Sequence, residues 1–259
     1  MKRNWIVFTF LVMIAAIAFT SCTSENPLEP AIRQAWGSYD YFPYKVNMAW
    51  VYSVKYPSEN LSLSVMYIVS GREYFAPYNG WQITVLIGGV PAYYTVYAET
   101  DEAIYNYNPE PEEWLLEYKI PFVIGNKWDY KTVLTNPVNG IEFNVNVHKE
   151  VISREVISVT AGDFKNCVKV YEHINFSSTD PIYHDSSYYY IQECWYAPDI
   201  GLIKEIIIET NKDYLTDYSC ILNQFYENYY QTTSNFQFHT SGKNTCNNAI
   251  PILVRNVAH

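Results

Sequence analysis

The phrase PYKVNMAWVY, residues 43–52, returns 78 positions later as PFVIGNKWDY, residues 121–130. A chain that repeats such a phrase must fold so that two places need the same local geometry. Pro43 aligns with Pro121, Tyr44 with Phe122, Val46 with Ile124, Asn47 with Gly125, Trp50 with Trp128 and Tyr52 with Tyr130. Proline can open a strand but cannot donate to a ladder inside one. Asn or Gly four positions on suits a residue in the left-handed region. Trp and Tyr two apart face the same side of the strand that follows. Each phrase therefore reads as an edge proline, a tight turn and a strand whose Trp is buried and pins the register. The functional alternative is that the two Trp line a ligand cleft. Two similar β units result, over 39–118 and 119–225. One curved sheet with like halves, or two stacked sheets, would satisfy the repeat.

The rest of the chain to residue 225 reads as strand, turn, strand. Strands are expected over 49–56, 61–69, 81–87, 91–97, 102–107, 127–135, 141–148, 151–160, 166–174, 187–198, 201–210 and 213–222. Pro77-Tyr-Asn-Gly80 and Gly88-Gly89 carry turn chemistry, and Gly162 marks another turn ahead of Phe164. Turn signals at a spacing of roughly 8 to 12 residues favour an all-β antiparallel meander. About twelve strands would form a curved sheet, a half-barrel or a sandwich. The 26 Tyr, 12 Phe and 7 Trp, against 10 Gly, suit pleated surfaces with an apolar base and a wet tip.

The chain opens with Lys2-Arg3, then an apolar run from Trp5 to Phe19, then Thr20-Ser21-Cys22. The run suits a signal sequence and is short for a membrane span of roughly 20 residues. The pattern resembles a bacterial lipoprotein signal, with Phe19 where Leu is usual. That resemblance implies a leader over 1–21 and lipidation of Cys22. The chain would then be anchored to a bilayer of the cell envelope without spanning it. Residues 22–38, with Pro27 and Pro30, read as a tether, and 226–259 as a loosely packed or poorly ordered tail. Without the leader, 15 basic residues face 27 acidic ones. That balance excludes nucleic acid as a partner, since phosphates require a basic face.

Three motifs carry a wider resemblance: PFVIGNKWDY, then VTAGDFKNCVKV, then WYAPDIGLIKE. Together they look like a recurring group of uncharacterised, β-rich bacterial lipoproteins. The matched positions are Pro121, Gly125, Trp128 and Tyr130; Ala161, Gly162, Phe164 and Cys167; and Trp195, Tyr196, Pro198, Gly201 and Lys204. The pair Ala-Gly-x-Phe and Trp-Tyr-x-Pro is also similar to half-barrel proteins of the LolA and LppX type. That likeness implies a curved sheet cradling an apolar ligand such as an acyl chain. It supplies no catalytic residues.

Cys167 and Cys194 fall in neighbouring strands, so either a disulfide between them or two buried free thiols is compatible with an exported chain. Cys220 and Cys246 complete the set of four beyond Cys22. No pair has C-x-x-C spacing, and no cofactor or metal site is expected. His148 and Glu150 share a strand face but read as a solvated pair, His184-Asp185 reads as part of a loop, and Glu110, Glu112 and Glu113 read as a charged loop, since their spacing lacks the Asp and Gly pattern of a Ca²⁺-binding loop. No nucleophile, phosphate-loop or zinc-protease motif occurs. The expected function is a binding or scaffold module of the envelope, with an apolar ligand or an envelope protein as partner. A surface module using exposed Tyr and Trp is the second reading. A hydrolase, which would show buried convergent acids in a pocket, is the third.

Overall fold

The computed structural model describes residues 39–109, 112–135, 140–178, 187–212 and 215–229. The leader, Cys22, the tether, Glu110, His184-Asp185, Cys246 and nearly all of the tail lie outside the described residues. Twelve strands make one antiparallel sheet. They are β1 (Ala49–Tyr56), β2 (Leu61–Phe75), β3 (Tyr78–Ile87), β4 (Val90–Glu99), β5 (Ala103–Asn108) and β6 (Glu113–Lys119) in the first half. The second half holds β7 (Lys127–Thr135), β8 (Glu142–Val159), β9 (Gly162–Ser178), β10 (Tyr188–Ala197), β11 (Gly201–Thr210) and β12 (Ser219–Tyr226). Among the described residues no helix is long and apolar enough to cross a membrane.

The strand order is β6-β5-β4-β3-β2-β1-β12-β11-β10-β9-β8-β7. Every strand pairs with its neighbours in sequence except the successive strands β6 and β7, and β1 pairs with β12 from Ala49↔Tyr226 to Lys55↔Ser219. The sheet therefore curls into a nearly closed barrel, with β6 and β7 as its two edges. Strand alternation fills the inside. On β1, Trp50, Tyr52, Val54 and Tyr56 are buried while Lys55 is exposed. On β10, Tyr188, Tyr190, Gln192, Cys194 and Tyr196 form the same kind of inward row.

The two repeated phrases form the same turn. Asn47 has φ +69° and Gly125 φ +89°. Asn47 N donates to Val69 O (2.9 Å), and Gly125 N to Val151 O (2.8 Å). Met48 N reaches back to Lys45 O, and Asn126 N to Val123 O, both at 3.0 Å. Because β1 and β7 run in the same direction, both turns lie at one end of the barrel. There the segments ahead of them meet. Phe42 and Phe122 have ring centres 5.8 Å apart, and Phe42 stacks on Tyr118 at 5.2 Å. Tyr41, Tyr118, Trp128, Val170 and Tyr196 complete this aromatic plug. Asp199 N donates to Asp40 O (2.6 Å) and Tyr41 OH to Asn166 O (3.0 Å), which tie the first segment down.

The count of twelve strands agrees with the sequence reading, but two elements differ. The stretches 141–148 and 151–160 are one strand, β8, because a bulge between Val151 and Ser153 absorbs an extra residue and lets the ladder with β9 continue. Conversely, 113–119 is a strand, β6, whose Leu115-Leu116 pair and charged ends hide the alternation. The turn expected at Pro77–Gly80 is displaced to Ala76-Pro77, between Phe75 and Tyr78. Gly80 is instead buried within β3, where an added Cβ would collide with Val96 and crowd Trp114. Its role is close approach of β4. Cys167, Cys194 and Cys220 are free and buried. Cys167 and Cys194 belong to different core clusters, so the disulfide alternative does not form.

Trp128 is 3% exposed, and its Nε1 donates to Glu117 O at 3.0 Å. Trp128→Ala is expected to lower unfolding stability by about 3–5 kcal/mol in a urea titration. Gly125→Ala meets no neighbouring atom, so only its positive φ opposes it, at about 1–2 kcal/mol. Asn47→Gly should be close to neutral.

Candidate functional site

A level of charged and polar side chains crosses the barrel interior just inside the plug. The ladder sets it: Lys149 of β8 lies opposite Glu172 of β9, and Glu172 opposite Gln192 of β10. Cys194, two residues on, lies opposite Glu205 of β11. From across the seam Glu117 of β6 joins them. Lys149 Nζ is 2.5 Å from Glu117 Oε1 and 3.3 Å from Glu172 Oε1, with the lysine side chain 1% exposed. The same ammonium sits 4.2 Å from the centre of the Tyr118 ring. Glu172 further accepts from Tyr118 OH (3.1 Å) and Gln192 Nε2 (2.9 Å). The hydroxyls of Tyr118 and Tyr196 are hydrogen-bonded to each other.

Burial alone would pull Lys149 down, but Glu117 and then Glu172 outweigh it, and the net shift is upward. Lys149 is a fixed cation and not a neutral amine nucleophile. Glu205 is pushed up to about 7, first by burial and then by the charge of Glu172, against the opposing pull of Tyr218 and Lys149. Four buried side-chain oxygens have no hydrogen-bond partner among the described residues, the hydroxyls of Tyr56 and Tyr190 and, at this level, Gln192 Oε1 and Glu205 Oε1. The amide orientation is set by the Nε2 bond to Glu172, so the free atom of Gln192 is an acceptor.

These groups border a cavity of about 160 Å³ whose lining includes nine tyrosines. Of the repeated phrases, Pro43, Tyr44, Trp50, Tyr52 and Tyr130 line it, as does Gly201. Trp50 both anchors and lines: it is 4% exposed, its Nε1 donates to Ile200 O at 2.5 Å, and Tyr52 OH donates to Leu202 O at 2.8 Å. Gly201, at φ +96°, ends the β10–β11 turn beside Trp50; Pro198 lies in that turn. Trp128 belongs to the plug, and the Pro121–Gly125 stretch to its turn. Gly162 and Phe164 lie at the start of β9, beyond the turn from β8. Trp195, 4% exposed and part of the core, lies between Lys169 and Lys204 in the ladder and donates to Glu155 Oε1 at 2.7 Å. His148 bonds Asp129 (2.7 Å) and Glu150 pairs with Lys127 (3.0 Å), so the two partner separately across β7.

Glu117, Lys149, Glu172, Gln192 and Glu205 escape the sequence reading. A signal for two of them exists. Lys149 sits in the row Val145, Val147, Lys149, Val151, and Glu172 in Val168, Val170, Glu172, Ile174, Phe176. A charge in the apolar phase of a strand implies a buried partner.

Two solved structures share the fold. One is an exported protein with a YmcC-like fold from Bacteroides fragilis NCTC 9343, at 14% identity and TM-score 0.51, spanning 73% of this chain and 100% of that one. The other is a lipoprotein from Parabacteroides distasonis ATCC 8503, at 15% identity and TM-score 0.54, spanning 73% of this chain and 99% of that one. No family model matches the chain. No curated protein matches it in sequence. Nothing in these comparisons supports the likeness to LolA- and LppX-type half-barrels.

Lys149→Met leaves Glu117 and Glu172 buried without their cation. It is expected to cost on the order of 3–5 kcal/mol, and adding Glu117→Gln and Glu172→Gln should recover much of that in the same unfolding assay. Glu205 faces Glu172, Lys149, Cys194, Cys220 and Tyr218. An unfolded carboxyl titrates near 4.5 and the folded one near 7. Between those values the fold retains a proton that the unfolded chain has released, so Glu205 makes stability fall as pH rises through that window. Glu205→Gln should therefore stabilise the protein by roughly 2–3 kcal/mol at pH 8 and change little at pH 4.5, read from paired denaturation curves.

Proposed function

We propose that this chain is a lipoprotein of the bacterial cell envelope, anchored through Cys22, whose barrel binds one small molecule in its interior. One observation carries the proposal. Two buried acceptors without partners, Gln192 Oε1 and Glu205 Oε1, border a tyrosine-lined cavity at the centre of the barrel. Interior polar atoms are almost always satisfied, and those that are not call for a ligand or ordered water. The likeness in fold to an exported protein and a lipoprotein supports the location.

Size and chemistry favour a compact ligand over the acyl chain that the half-barrel resemblance implied. A cavity near 150 Å³ accepts a benzene-sized guest, and this one carries three carboxyl groups and an ammonium. A surface-binding role finds less support. The large exposed apolar residues, among them Val46, Tyr74, Val90 and Ile124, include few aromatics among the described residues. Acid catalysis by Glu205 suits its raised pKa, but Lys149 engages the other two acids, which leaves no second free carboxyl beside it.

Native mass spectrometry of the full chain, released from non-ionic detergent, should show a bound small molecule that organic solvent removes. A clean apoprotein mass, together with no thermal shift across a small-molecule panel, would refute interior binding. Separately, cells expressing Cys22→Ala should incorporate no labelled palmitate into the protein, whereas the wild type should; equal labelling would refute the anchor.

A further inference from the structure

The interior has a charge preference. Three carboxyl groups, those of Glu117, Glu172 and Glu205, face the single ammonium of Lys149. That ammonium engages Glu117 and Glu172. Glu205 is the acid left over, and its Oε1 has no partner among the described residues. Gln192, 4% exposed, offers a second unpartnered acceptor at the same cavity. Both free atoms need a donor. An added anion would bring a fourth negative charge and no proton for either of them.

The walls agree with the floor. Tyrosine rings present a negative face that attracts ammonium groups. The chain already stores one ammonium this way, with Lys149 Nζ at 4.2 Å from the Tyr118 ring centre. Tyr52, Tyr67, Tyr97 and Tyr218 also line the cavity. The phenols of Tyr52, Tyr67 and Tyr218 are held well above their ordinary range by burial, so these rings stay neutral and add no competing charge.

We propose that the cavity selects a small primary ammonium on a compact apolar body, with the N–H donors directed to Glu205 Oε1 and Gln192 Oε1 and the body packed among the tyrosines. The proposal rests on interior binding as argued above and adds the class of ligand. A primary amine fits better than a quaternary one because the two free acceptors require N–H groups.

Isothermal titration of the full chain in non-ionic detergent at pH 8 tests it with four probes of nearly equal size: benzylamine, benzyl alcohol, toluene and benzoate. Benzylamine should bind at one site at least tenfold more tightly than the other three. Glu205→Gln, expected to be a stable protein at this pH, should reduce benzylamine to the level of benzyl alcohol. If benzyl alcohol, toluene or benzoate binds as tightly as benzylamine, the cation selection is overturned while interior binding stands. If benzylamine binds equally well to Glu205→Gln, the assigned site is wrong. If no probe binds and the native mass is clean, both proposals fall.

Discussion

The Lys149 ammonium is the interaction on which the barrel depends. The sheet ends at β6 and β7, two edges that carry no ladder between them in the described strand order. Bare edges expose unpaired backbone groups and invite pairing with another chain. Lys149 reaches from β8 past β7 to Glu117 on β6, while also binding Glu172 on β9. Around it, Trp128 donates to Glu117 O, Tyr130 OH to Glu117 Oε2 and Thr132 to Glu113, so the seam is sewn by side chains. Buried charges are costly unless paired and hydrogen-bonded. Here the same pairs that close the seam also make the interior polar, which couples the integrity of the wall to the character of the cavity.

The repeated phrase finds its reason at the other structural constraint, the end of the barrel. A closed meander of strands leaves an opening at each end, and the segments that lead into β1 and β7 arrive at the same one. Each delivers aromatic rings toward the axis before its turn sends the chain into the wall. Phe42 and Phe122 share that cover, with ring centres 5.8 Å apart. The left-handed residue at Asn47 or Gly125 is what allows so sharp a change of direction from plug to wall.

The all-β antiparallel architecture was legible because alternation and turn chemistry are local signals. Asn47 and Gly125 could be read as left-handed positions from residue type and alignment alone. The errors have equally local causes. Pro77-Tyr-Asn-Gly80 mimics a turn, but Gly80 answers to the closeness of β4, a neighbour that only the folded sheet supplies. Leu115-Leu116 breaks period two and so hides β6. A bulge after Val151 shifts the phase of β8 and makes one strand look like two. The polar level across the interior was missed although Lys149 and Glu172 stand in otherwise apolar rows. What no sequence could supply is their convergence: Glu117 and Lys149 are 32 positions apart and on strands that share no ladder.

The pairing of β1 with β12 places the two ends of the barrel sequence side by side in the middle of the sheet. Every other ladder joins strands adjacent in sequence, so each six-stranded half can assemble from short-range contacts at small loop-closure cost. Only one ladder demands that distant parts of the chain find each other. Assembly of the barrel thus reduces to the docking of two preformed meanders through a single long-range step. When that step is late, each half exposes one unpaired strand whose complement exists on every other copy of the chain. The natural failure product is then a pair of molecules that have exchanged halves, each barrel being completed by its neighbour.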